Sequence, residues 1–114
     1  MARQISLDAW QARRLGDLLE AASEAAAKTG IPTVLYRQVV EREGEDACEE
    51  VICSVTDGHV IEQEITTGGM LPASVGRQRV YPVRSYPAEL YRKSRDRFAE
   101  VVESLEGLQK AGRI

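Results

Sequence analysis

A chain of 114 residues, 43% apolar and 29% charged, has the length of one domain and the composition of an ordinary folded protein. Its net charge of −3 excludes a chain that coats polyanions over its whole surface. No apolar run approaches the roughly 18 residues of a membrane helix, and no basic start leads into an apolar stretch, so the sequence predicts a cytoplasmic protein with no membrane span and no signal peptide.

The first predicted element is a helix over 7–29. Ser6 is a good N-cap, Asp8 favours the positive end of the helix dipole, and Ile5 and Trp10 have hydrophobic-staple spacing. Leu7, Leu15, Leu18, Leu19, Ala22, Ala25 and Ala26 form one apolar face, with Trp10 at its edge. Thr29-Gly30-Ile31-Pro32 is a stop signal.

Strands are predicted over 33–42, 49–55 and 59–66. The first has apolar groups on both faces, which suggests an inner strand or a bulge. The turn between the second and third decides their register. A two-residue Asp57-Gly58 turn pairs Cys53 with Glu62 and Val51 with Glu64, placing glutamates on the apolar face. A three-residue Thr56-Asp57-Gly58 turn pairs Cys53 with Ile61, and the apolar sets agree. A one-residue slip reverses every side chain, so the three-residue turn is expected, with Val51, Cys53, Val55, Ile61 and Ile65 facing inward. Glu62 and Glu64 then face solvent. The stretch 67–76, with paired glycines and a proline, is predicted as a loop, and 77–81 as a fourth strand confined to an edge by Pro82.

The last element is a helix over 87–106, starting at Tyr86-Pro87. Tyr91, Ser94, Phe98, Val101, Leu105 and Leu108 make a regular stripe, and Gly107 reads as the cap. The whole is an α+β, two-layer sandwich in which a three- or four-stranded antiparallel meander lies between two long helices of sequence.

Chemistry-bearing residues are sparse. Cys48 and Cys53 are an odd number of residues apart, so in a strand they point to opposite faces and cannot bridge. His59 has no evident nucleophile beside it, and no zinc or calcium pattern is present. No catalytic residue, metal or cofactor is predicted.

The charges are segregated instead. Glu41, Glu43, Glu45, Asp46, Glu49 and Glu50 surround the single Arg42. Arg77, Arg79, Arg84, Arg92, Lys93, Arg95 and Arg97 stand against Glu89 and Asp96, interleaved with Tyr81 and Tyr86. Both helices also carry cations before carboxylates, the reverse of what a helix dipole favours. Three uses fit: compensation between helices, which four strands would make antiparallel; a symmetric homodimer through the second helix; or an anionic partner. The sequence therefore points to a small non-catalytic protein-interaction or regulatory module, such as an adaptor, chaperone-like binder or inhibitor. The alternative is nucleic-acid or phosphate-ligand binding through 77–97, where arginines meet phosphates and tyrosines stack on bases.

Overall fold

The computed structural model describes residues 9–41, 47–68 and 71–114. Helix α1 (Ala9–Thr29) leads into four strands, β1 (Thr33–Glu41), β2 (Ala47–Thr56), β3 (His59–Gly68) and β4 (Leu71–Pro82). Two helices follow, α2 (Tyr86–Lys93) and α3 (Arg95–Lys110). The strands form one antiparallel sheet in the order β1-β2-β3-β4. The α+β arrangement with its long first helix is as the sequence predicts. The capping residues Ser6 and Asp8, the staple residue Ile5, and Leu7 lie outside the described residues.

All three helices feed one core. Leu15, Leu18, Leu19 and Ala22 of α1, Tyr86 and Leu90 of α2, and Phe98, Val101 and Leu105 of α3 close over Leu35, Cys53, Val55 and Val60. The helices therefore cover one face of the sheet. Gly30, at φ 71°, ends α1 by donating its N–H to the Ala26 carbonyl at 2.8 Å, a left-handed cap open to glycine at little cost.

The register differs from the sequence expectation. Thr56 pairs with His59, Val55 with Val60 and Cys53 with Glu62, so the turn has two residues, Asp57 and Gly58. Val60, Glu62 and Glu64 thus share the helix side with Cys53 and Val55, while Ile61 and Ile65 face away. Gly58 supplies the one positive φ of the turn, at 75°, and its N–H is held by the buried Ser23 of α1 at 2.7 Å. The rejected register holds because Glu62 finds three donors there, described below, and Glu64 lies beyond the helices and is exposed.

Strand β1 is an edge strand, not an inner one, and it bulges between Val34 and Tyr36. The bulge turns both Leu35, which is buried, and Tyr36, which is half-buried, towards the helices. The fourth strand runs from Leu71 to Pro82, not 77–81, and takes in most of the predicted loop. Irregularities near Glu64 and Thr67 absorb its poor pairing residues. Pro72 and Pro82 sit at its two ends on the sheet edge, where a missing N–H is tolerated.

The predicted helix over 87–106 is two helices. Ser94 adopts an extended conformation (φ −162°, ψ 115°), and its side chain accepts the Arg97 N–H at 3.1 Å, capping α3. The break removes the apparent dipole conflict from α2, which Glu89 opens and Arg92 and Lys93 close. In α3, Asp96 opens and Lys110 closes the helix, but Arg95 and Arg97 still stand in its first turn, ahead of Glu100, Glu103 and Glu106. The break also redirects the chain, so the expected antiparallel pair is absent. Trp10 and Gln11 share a hollow with Phe98, Ala99 and Val102, and Ala25 and Thr29 share one with Gly112 and Ile114. Helices α1 and α3 therefore advance in the same sense. Nor does Gly107 cap α3. The helix continues to Lys110, and Gly112 (φ 72°) takes the left-handed position, with its N–H on Gln109 and that of Arg113 on Leu108.

Gly107 and Gly58 consequently respond oppositely to substitution. A methyl group at Gly107 meets nothing within 4 Å in mid-helix, so Gly107→Ala is expected to raise stability by roughly 0.5–1 kcal/mol. Gly58→Ala forces a side chain into the left-handed region and is expected to cost about 1 kcal/mol. Urea denaturation of the two variants measures both signs; a loss at Gly107 would restore its capping role.

Candidate functional site

The densest polar arrangement centres on Glu62. Pairing with Cys53 puts its side chain under α2, where it is only 12% exposed. Its Oε1 accepts from the Tyr36 hydroxyl at 3.4 Å and the Tyr86 hydroxyl at 3.3 Å, and Lys93 Nζ donates to Oε2 at 3.0 Å. Lys93 also donates to the Tyr81 hydroxyl at 2.8 Å. Cys53 Sγ lies 3.2 Å from the Tyr86 hydroxyl. Each group arrives from a different element: Tyr36 through the β1 bulge, Glu62 through the two-residue turn, Tyr81 from β4, and Tyr86 and Lys93 from the two ends of α2. Arg97 lies over the Tyr36 ring at 4.5 Å and donates to Gln38 at 3.4 Å, bringing α3 to the same place.

These groups hold their protons tightly. Burial pushes the Cys53 thiol up to about 11 from an ordinary 9.0. Burial likewise raises Tyr36 and Tyr86 above their ordinary 10.0. Burial opposes the charge on Lys93, but its bonds to Tyr81 and Glu62 outweigh that and raise its pKa. At neutral pH Cys53 is therefore a protonated thiol in the core, a poor nucleophile. No buried side-chain nitrogen or oxygen among the described residues lacks a hydrogen-bond partner. No group of three or more His, Cys, Asp or Glu among them is placed to hold a metal ion.

The structure scatters the basic segment rather than gathering it. Arg84 is exposed near Glu20 at 3.9 Å, Arg92 pairs with Glu89 at 3.6 Å, and Lys93 with Glu62. Arg97 pairs with Glu100 at 3.0 Å, and Arg95 lies over the Tyr91 ring at 5.4 Å. Tyr81 is half-buried and Tyr86 fully buried, so the Tyr86 ring is not offered for stacking on a base. Only Arg77 and Arg79 are presented together, two residues apart on the helix side of β4 and exposed. Arg79 faces Glu62 across the strands, as the alternation of charges suggests. Arg14 meets Glu106 at 3.4 Å, so α1 and α3 do compensate one another, by stagger rather than by opposed direction.

The acidic cluster divides as well. Glu50 pairs with Arg37 at 2.8 Å on the sheet face away from the helices, while Glu49 takes the other face. The side chain of Glu41, together with Glu43, Glu45 and Asp46, lies outside the described residues. The stripe on the last helix, one of whose expected uses is a symmetric homodimer, is spent in the core through Phe98, Val101 and Leu105.

One surface stands out, and of its residues the sequence predicts only Ile61 and Ile65 to face inward. The sheet face away from the helices carries Val34, Val39, Ile52, Ile61, Ile65, Val75 and Val80, and no described element covers it. Val34 is 50% exposed, Val39 55% and Val80 53%. The alternation of Ile61 and Ile65 with Glu62 and Glu64 carried the signal for it, but only in the two-residue register.

No protein-family model matches the chain, and neither curated proteins nor solved structures show a match. No helix among the described residues is long and apolar enough to cross a membrane.

The Glu62 cluster has a measurable signature. Glu62→Ala strips an acceptor from two phenols and a partner from Lys93, with an expected loss of about 2 kcal/mol; Glu62→Gln, which still accepts, is expected to lose about half of that. Because Cys53, Tyr36, Tyr86 and Lys93 all have raised values in the folded state, the native chain keeps protons that the unfolded chain releases. Stability is then full below about pH 9, the unfolded value of the thiol, and falls as pH rises towards 11 and beyond. Urea midpoints between pH 7 and pH 10.5 read this decline, and Cys53→Ala is expected to delay its onset.

Proposed function

We propose that the chain is a non-catalytic protein-interaction module whose docking surface is the uncovered face of its sheet. The observation that carries this reading is the set of seven aliphatic side chains, Val34, Val39, Ile52, Ile61, Ile65, Val75 and Val80, on a face no described element covers. Antiparallel sheets tolerate water on one face when that face is polar; a Val/Ile-rich one favours a protein surface of like, aliphatic character. The shape supports it too. The Cα radius of gyration is 15.8 Å, against about 13 Å for a compact domain of this length. The thinnest extent is 23 Å, the depth of a sheet with one helix layer.

A photo-crosslinking residue tests the surface directly. Placed at Val80, it is expected to give discrete adducts in the cell that makes the chain, and placed at Glu103 on the helix side, none. Ile61→Lys is expected to abolish the Val80 adducts. Equal adducts from both positions, or none from Val80, would remove the sheet face as the docking surface.

A second reading, nucleic-acid or phosphate-ligand binding, rests on Arg77 and Arg79, which are exposed side by side and make no hydrogen bond or ion pair with another described residue. Two arginines support only weak, salt-sensitive binding. A salt titration with single-stranded and duplex RNA and DNA checks it: binding at low salt that Arg77→Glu with Arg79→Glu abolishes is the expected outcome, and its absence ends that reading.

A further inference from the structure

We infer that the occupant of the uncovered sheet face is a second copy of the same chain, the two sheets stacking face to face about a two-fold axis. The inference rests on the reading of that face as a protein interface and names its partner.

Charge comes first. By strand register, the formal charges on this face among the described residues are Arg37, Glu50 and, at the end of β1, Glu41; Arg37 and Glu50 neutralise each other at 2.8 Å within the protomer. The remaining positions are aliphatic or neutral, with Ser54, Gln63 and Gln78 among the seven Val and Ile side chains. A heterologous partner is normally selected by opposite charge, which fixes register and excludes wrong partners. The middle of this face, away from Glu41 at the end of β1, offers no net charge to select with. An identical face meets that middle without like-charge repulsion, and an isologous contact needs only self-complementarity. The charges the chain does segregate, Arg77 and Arg79 on β4 and Glu49 on β2, point to the other side of the sheet and stay clear of the contact.

Area agrees. Four strands at roughly 4.8 Å spacing and about ten residues at roughly 3.3 Å each make a face on the order of 600 Å². Two such faces bury on the order of 1,200 Å², the lower bound for a specific, stable interface. Aligned sheets stack about 10 Å apart with their side chains interdigitating, which suits β-branched Val and Ile. A dimer formed so has helices on both outer surfaces and one closed aliphatic layer inside. That is the burial a single helix layer leaves unfinished.

Sedimentation velocity of the purified chain from 1 to 200 µM is the test. A concentration-dependent dimer is expected, with Ile61→Lys weakening it at least a hundredfold and leaving the far-UV circular dichroism unchanged. Val80→Lys, at a half-exposed edge position, carries the same expectation should Ile61→Lys fail to fold. Glu103→Lys, on the helix side, is expected to leave the dimer intact. A wild-type chain that stays monomeric to 200 µM, or a dimer untouched by both sheet-face lysines, overturns the second-copy inference. The two readings separate cleanly. A monomer in the centrifuge combined with adducts to a different protein from Val80 in the cell sinks the dimer and keeps the sheet face; no adducts at all sinks the face itself.

Discussion

A carboxylate on the inner face of a sheet needs donors, and the position of Glu62 organises much of this molecule around that need. Tyr36, Tyr86 and Lys93 reach it from β1 and from both ends of α2, and Tyr81 braces Lys93 from β4. Each connection depends on a local irregularity: the bulge that aims Tyr36, the two-residue turn that brings Glu62 inward, and the break at Ser94 that ends α2 at Lys93. Regular elements alone would leave these groups apart. An isolated carboxylate under a helix would cost several kcal/mol, and the donors offset that cost.

The same register has a second effect on the opposite face. Because side chains alternate along β3, bringing Val60 and Glu62 inward turns Ile61 and Ile65 outward. The polar cluster under α2 and the aliphatic face behind the sheet are therefore one event seen from two sides. Charges are consumed on the helix side, through Lys93 with Glu62, Arg14 with Glu106 and Arg97 with Glu100. Apolar area is left over behind the sheet. That distribution favours association through the sheet over association through the charged helices.

Much of the fold was legible in the sequence. The periodicity of α1, its glycine stop, the strand order and the edge position forced by Pro82 all follow from local rules. Register was not, because the rule applied to it priced two glutamates on the inner face as prohibitive without knowing that two phenols and an ammonium group would arrive from residues up to 31 positions away in sequence. The split of the last helix was present in the residues but unread. Cations placed before carboxylates looked like a broken dipole rule across one long helix. Split in two, α2 obeys the rule, ending at Lys93 before the Ser94 cap, while α3 still carries Arg95 and Arg97 in its first turn beside Asp96. The candidate surfaces fared similarly: charge counts along the chain located basic and acidic segments, but not the partners that three-dimensional proximity supplies them. Ile61 and Ile65, part of the exposed apolar face, were misassigned with the register.

The ends of β4 bear on which further contacts such a sheet can make. A sheet with two free edges and an aliphatic face risks adding strands without limit, copy after copy. Pro72 and Pro82 interrupt the row of edge donors at both ends of β4, and on the other side the β1 bulge disturbs the opposite edge. Lateral growth is thereby obstructed while stacking is not. A dimer formed as proposed would thus be a closed, finite assembly rather than a fibril.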